Sequence, residues 1–182
     1  MEREPDDRLD RALLARIADG DRQALGPLYD RHALTLFHHA LALARHRSDA
    51  EDLVQIVFVK LATTGAELLG VRTPRHYLHR MLKAAWLDDR RRREVRREDP
   101  LDAMPSTSVT AVAGSSRDAP DLARAIGELS PEQREVIVLH AMHGYSLREV
   151  GAMTHVSLFT AASRLRLARA RLRSLLDRSG VR

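Results

Sequence analysis

The chain has 182 residues, 44% hydrophobic and 30% charged, and no cysteine; it is long enough for one domain or two of roughly 80 residues, and disulfides, thiolate nucleophiles and cysteine-ligated metals are excluded. No apolar run approaches the ~18 residues of a membrane span, and Met1–Asp10 is acidic where a secretory signal is basic then apolar, so no membrane insertion and a cytoplasmic location are expected. The formal charge is +5, carried by 28 arginines and only 2 lysines, and arginine's planar five-donor fork suits phosphates and guanine edges.

Taken in chain order, apolar residues first fall at helical spacing at Leu34, Phe37, Leu41 and Ala44. Ser48-Asp49-Ala50-Glu51 then has the form of a capping box, opening a helix with Val54, Val57, Phe58 and Leu61 on one face. Thr73-Pro74 places an N-cap residue before a helix-starting proline, and Leu78, Met81, Leu82 and Ala85 continue that helix. It closes in Arg90–Arg93 with Arg96 and Arg97 beyond, more cations than the negative end of a helix dipole calls for, which points to phosphate. Tyr77 and Trp86 on the same helix suit either a core or base stacking.

From Glu98 to Pro120 the periodicity stops and Pro, Gly, Ser and Thr accumulate, as in a flexible linker. The flanks, residues 1–97 and 121–182, each carry +4, against −3 for residues 98–120. Helical signals resume at Ser130-Pro131 with Gln133 completing a capping box, and a helix is expected to His143. With no convincing alternating strand, the expected fold is all-α: two small helical bundles, 1–97 and 121–182, joined by the linker 98–120.

The second bundle has the most specific local pattern. After the turn His143-Gly144-Tyr145, a capping box at Ser146 and Glu149 opens a short helix to about Met153; a turn at Thr154-His155-Val156 follows, then a long helix opened by Ser157. Short helix, tight turn and long helix make a helix-turn-helix. On the long helix Leu158, Ala161, Leu165, Ala168, Leu172 and Leu175 share a core-facing stripe. At about 100° per residue, Phe159, Thr160 and Ser163 then point outward with Arg164 and Arg166 on the flanks. Small and donor-bearing side chains at a helix start suit base edges in the major groove, flanking arginines suit phosphates, and an outward Phe159 suits a thymine methyl.

Other chemistries fit less well. His32, His39 and His46 are seven residues apart, about 10.5 Å of helix rise, and cannot share one ion; His76 with His79 and His140 with His143 lack a completing carboxylate set. No phosphate-binding glycine loop, nucleophile elbow or paired carboxylates stand in a recognisable frame, so neither an enzyme nor a cofactor is expected.

These residues together resemble the extracytoplasmic-function (ECF) sigma factors, the small two-domain class of the sigma-70 family. Asp49–Leu61, DAEDLVQIVFVKL, resembles the region 2 helix that docks on the clamp helices of RNA polymerase. The resemblance implies polymerase contacts at Asp49, Glu51, Asp52 and Gln55. The segment from Thr73 through the closing arginines resembles the promoter-melting helix, implying minus-ten contacts at Arg72, Thr73, Lys83, Ala84, Trp86, Arg90, Arg91 and Arg92, with a flipped-base pocket in the loop Thr64–Thr73. Leu129–Leu172 resembles region 4, implying minus-thirty-five contacts at Ser157, Phe159, Thr160, Ala162, Ser163, Arg164 and Arg166. Implied partners are core RNA polymerase, promoter DNA and an anti-sigma factor, and the implied role is promoter-specific transcription initiation. Four positions depart from the family: Ala84 stands where asparagine helps to read the minus-ten element, Phe159 and His155 replace glycines, and Ala161-Ala162 replace a valine and a basic residue. Ala84 keeps open a degenerate sigma-like protein that binds polymerase or another regulator without initiating transcription.

Overall fold

A computed structural model describes residues 4–96 and 119–178. Among them there are eight α-helices and no strand: α1 (Glu4–Ala18), α2 (Leu25–Ala44), α3 (Arg47–Thr63), α4 (Pro74–Arg96), α5 (Ala119–Gly127), α6 (Pro131–Ile137), α7 (Leu147–Thr154) and α8 (Leu158–Arg178). The linker 98–120 lies outside the described residues except at Ala119 and Pro120, which open α5.

Helices α1–α4 form the first bundle because each carries an apolar stripe wide enough to bury. Leu13, Leu14 and Ile17 of α1 meet Leu28, Leu36 and Leu41 of α2, Val54, Val57 and Leu61 of α3, and Leu78 and Leu82 of α4. The expected stripes on α3 and α4 are the buried ones. On α2 the stripe is rotated: Leu36, His39, Ala40 and Leu43 go inward and Leu34 is 66% exposed, because α2 is covered from more than one side, by α3, α4 and α6.

The start of α3 also differs from the expected capping box. His46 is its N-cap and makes no side-chain cap bond; the helix begins at Arg47, and Glu51 accepts a 2.7 Å hydrogen bond from Arg47 Nε instead of reaching back to Ser48. The boxes at Ser130 with Gln133 and at Ser146 with Glu149 are both formed.

The second bundle, α6–α8, packs Leu129, Val136, Leu139, Tyr145, Val150 and Met153 against Ala161, Leu165 and Ala168 of the long helix. The helix expected to run from Pro131 to His143 is regular only to Ile137. It then widens into a π turn over Val138–Met142, with the His143 N–H bonded to the Val138 carbonyl at 3.2 Å. Val138 joins the first core and Leu139 the second. Ala123 and Ile126 of α5 also sit in the first core, and Leu172 touches both. The two bundles therefore close on one another through apolar as well as polar contacts.

Candidate nucleic-acid interface

Local geometry at the helix-turn-helix follows from single residues. Ser146 Oγ accepts from the Glu149 N–H while Glu149 Oε2 accepts from the Ser146 N–H at 2.8 Å, fixing the start of α7. Between α7 and α8 the backbone passes so close to Gly151 that a Cβ there would sit 2.8 Å from the Val156 carbonyl oxygen. His155 takes the left-handed conformation, φ 57°, where the family resemblance places glycine; histidine is among the residues that tolerate it. Ser157 then opens α8, its Oγ accepting from the Thr160 N–H at 3.1 Å and lying 2.9 Å from the Thr160 hydroxyl.

On α8, Ser157, Phe159, Thr160, Ser163 and Arg166 are exposed and Ala162 is half-buried. Phe159 is 84% exposed, an aromatic ring facing outward. Arg164 differs from the expected flank position: it is half-buried and turns into a groove with Trp86 of α4 and Glu132 of α6. Leu158, expected in the core, is 43% exposed. It stands in the first turn of α8, before the core contacts begin at Ala161.

The second face lies on α4. Ala84 is exposed, Trp86 is half-buried, and the Arg90 guanidinium lies over the Trp86 ring at 5.8 Å. Arg72, Arg91 and Arg92 are exposed and Thr73 is half-buried. Not every closing arginine faces solvent alone: Arg93 bridges Asp89 at 2.8 Å and Asp49 of α3 at 3.1 Å, and Arg90 pairs with Glu94 at 2.9 Å. Lys83, expected beside Ala84 on an open face, is instead buried, its Nζ on Glu135 Oε2 of α6.

A third face belongs to α3. Asp49 is tied to Arg93 and Glu51 to Arg47, whereas Asp52 and Gln55 are exposed three residues apart. Ile56 and Val59, 38% and 65% exposed, extend that surface with apolar area.

The junction between bundles is the part that sequence reasoning missed. His39 of α2 is fully buried, with Nδ1 2.9 Å from His79 Nδ1 of α4 and Nε2 2.9 Å from Glu135 Oε1. Burial pushes Glu135 up, but hydrogen bonds from His39 and Lys83 outweigh it and hold the carboxyl below its ordinary range. Burial, reinforced by the neighbouring His39 and His143, holds His79 well below the ordinary imidazole range. Arg134 is also buried; it donates to the Ala42 and Leu129 carbonyls at 2.8 and 3.0 Å, and burial with Arg45 nearby lowers it to about 10. His39 and His79 stand plainly in the sequence, but Glu135, the carboxylate that His39 meets, is 96 residues from it.

Comparison with known proteins agrees with this layout. The model for sigma-70 region 2 matches residues 28–96 and that for sigma-70 region 4 matches residues 120–172. The ECF RNA polymerase sigma factor SigM of Mycobacterium tuberculosis is 33% identical over 171 residues, 93% of this chain and 86% of that protein. The structure of CnrH in complex with the cytosolic domain of CnrY superposes with a TM-score of 0.66 at 31% identity, covering 93% of this chain and 97% of that one. That of the sigma factor RpoE in complex with the anti-sigma factor NepR from Bartonella quintana gives 0.64 at 25%, covering 83% and 97%. The chain belongs to the sigma-70 family, in its extracytoplasmic-function class. As an alternative sigma factor it directs transcription initiation.

Proposed function

We propose that residues 1–97 dock on core RNA polymerase and engage the opened minus-ten element, that residues 121–182 read the minus-thirty-five element, and that residues 98–120 span the distance between them. Polymerase contact is assigned to Asp52 and Gln55 with Asp49 and Glu51 beside them, downstream DNA to the Arg72–Arg92 face of α4, and upstream DNA to the outward face of α8. The action is binding, not catalysis: phosphate contacts hold register, base contacts specify, and a flipped base held near Thr64–Thr73 repays unstacking of a few kcal/mol. Ala84 has no hydrogen-bonding group, so base preference there is relaxed and falls to the preceding loop. An anti-sigma factor restrains the protein in the cytoplasm, as the RpoE complex with NepR suggests by analogy.

The observation that carries this reading is the outward face of α8, where Phe159, Thr160 and Ser163 stand exposed at the start of a helix whose opposite side is locked into the core. Run-off transcription with core polymerase and the chain's own upstream DNA tests it. A discrete transcript dependent on this protein is expected; none on any such fragment, despite tight core binding, would overturn it.

A further inference from the structure

Three histidine contacts at the junction depend on the protons the rings carry, two of them made directly across it. The first is the buried pair His39 and His79, both of the first bundle, with His39 bonded across the junction to Glu135. A carboxylate only accepts, so His39 Nε2 carries a hydrogen and donates it to Glu135, whose other oxygen takes Lys83. In the neutral ring His39 Nδ1 is then bare and accepts from His79 Nδ1–H at 2.9 Å, leaving His79 Nε2 buried without a partner. One added proton makes His39 an imidazolium only if His79 shifts its own hydrogen to Nε2, where no acceptor stands. A second sets N–H against N–H.

The second contact is the stack of His38 of α2 on His143 after the π turn, with ring centroids 5.3 Å apart and planes 22° from parallel. Two protonated rings there repel. Burial lowers both, and with His38 and His39 nearby His143 falls to about 4. The third is exposed: Arg80 Nε of α4 donates to His155 Nε2 in the helix-turn-helix turn at 3.0 Å, which only an unprotonated Nε2 can accept.

We propose that this junction is a proton-sensitive latch, which holds the two bundles closed while the His38–His143 stack, the Arg80–His155 bond and the His79 ring behind them are neutral and releases them as these rings protonate. The charges facing the rings set the balance. From α4 come Lys83, Arg80, Arg75 and His76; from α6 comes Glu135; from α7 comes Glu149, 3.8 Å from His76 and 3.1 Å from Arg75. From α1 come Asp7, 3.6 Å from Arg75, and Asp10, which holds Arg31 and His32 of α2, all lining one pocket with His143. Glu135 is already held by Lys83 and His39, Glu149 and Asp7 by Arg75, and Asp10 by Arg31 and His32, so each of these carboxylates already has a cation. Because the closed form binds fewer protons than the open one, its stability is complete above the ordinary imidazole range near 6.5 and falls as pH drops through it toward the lowered values.

Closure also has a cost for DNA reading, a point that rests on the assignments proposed above. It buries Lys83 and turns Arg164 toward α4. Release would free both.

The chain has no cysteine, so Thr63→Cys and Arg173→Cys, both at exposed positions, give two unique labelling sites in the full protein. Energy transfer between dyes there, followed from pH 8 to 5 beside far-ultraviolet circular dichroism, reads opening apart from unfolding. Transfer is expected to fall between about pH 6.5 and 5 with helicity unchanged. His143→Phe with His155→Asn keeps a ring on His38 and an acceptor for Arg80, and is expected to move the midpoint down by about half a pH unit or more. Transfer independent of pH in the unmodified latch, a fall that tracks loss of helicity, or a double variant that opens at the same pH would each overturn the proposal. None of these readouts uses polymerase or promoter, so failure of the latch and failure of the sigma assignments are distinguishable.

Discussion

The outward face of α8 and the junction between the bundles are built in opposite ways. On α8 every determinant is local: a serine cap, a glycine that lets the backbone pass, a helical stripe that locks one side into the core. What remains on the other side, Phe159 above all, contacts water and is available to a partner. At the junction the determinants are remote in sequence, Lys83 with Glu135, His39 with His79, Arg134 with the Ala42 carbonyl, and each is bonded inside the protein. Residues proposed to read DNA are recognised by what they do not touch, while residues that set the relation of two modules are recognised only by what they do.

The sharpest way to break this contrast is Glu135→Ala. It leaves Lys83 and His39 buried without their acceptor, and losing one partner of a buried ion pair costs about 3 to 5 kcal/mol. Urea denaturation of the full chain should show that loss as a lower midpoint, and a change under about 1 kcal/mol would mean that the junction contributes little to folding. Next in size, Gly151→Ala forces a Cβ against the Val156 carbonyl, an overpacking expected to cost about 1 to 3 kcal/mol. A melting temperature equal to that of the unmodified protein would show that the turn can relax.

On the exposed face the effects should fall on recognition instead of stability. Phe159→Ala and Ser163→Ala are expected to change the preferred upstream base pairs by about 1 to 3 kcal/mol per position, whereas Arg166→Ala should weaken all sequences alike and lower the salt slope by roughly one unit. Binding-site selection that returns one motif for all three variants would place the reading face elsewhere. Removing a cap lies between the two regions: Ser146→Ala should cost about 1 kcal/mol by thermal unfolding. The smallest expected change in stability is that of Asp52→Arg, within about 0.5 kcal/mol, although core polymerase binding should weaken. Unchanged affinity in a titration with core enzyme would remove α3 from the docking surface.

Much of the fold was legible because its signals are short-range. The capping boxes at Ser130 and Ser146, the left-handed turn at His155 and the stripe from Ala161 to Leu175 each need only a few neighbouring residues to be read. Where two local partners compete, the same reasoning fails: Arg47 takes Glu51, so Ser48 is not the cap of α3. Periodicity likewise misplaced Leu34 and Leu158, since it gives the pitch of a stripe but not how many neighbours cover it. Lys83 and Arg164 looked like open DNA contacts because charge beside a reading face is ordinarily solvated, and only the pairing of α4 with α6 and α8 shows otherwise. The histidines were weighed as metal ligands at helical spacing, a test that cannot detect a ring bonded across 40 residues to another ring.

Ala84 is exposed on α4 and has no group to hydrogen-bond a base. Permanganate footprinting of the downstream element, with holoenzyme containing either the unmodified chain or Ala84→Asn, asks directly whether this protein opens promoter DNA. Both should open it, the variant with a narrower base preference at the position facing residue 84. No opening by the unmodified chain on any promoter, although it binds core polymerase tightly, would contradict the account.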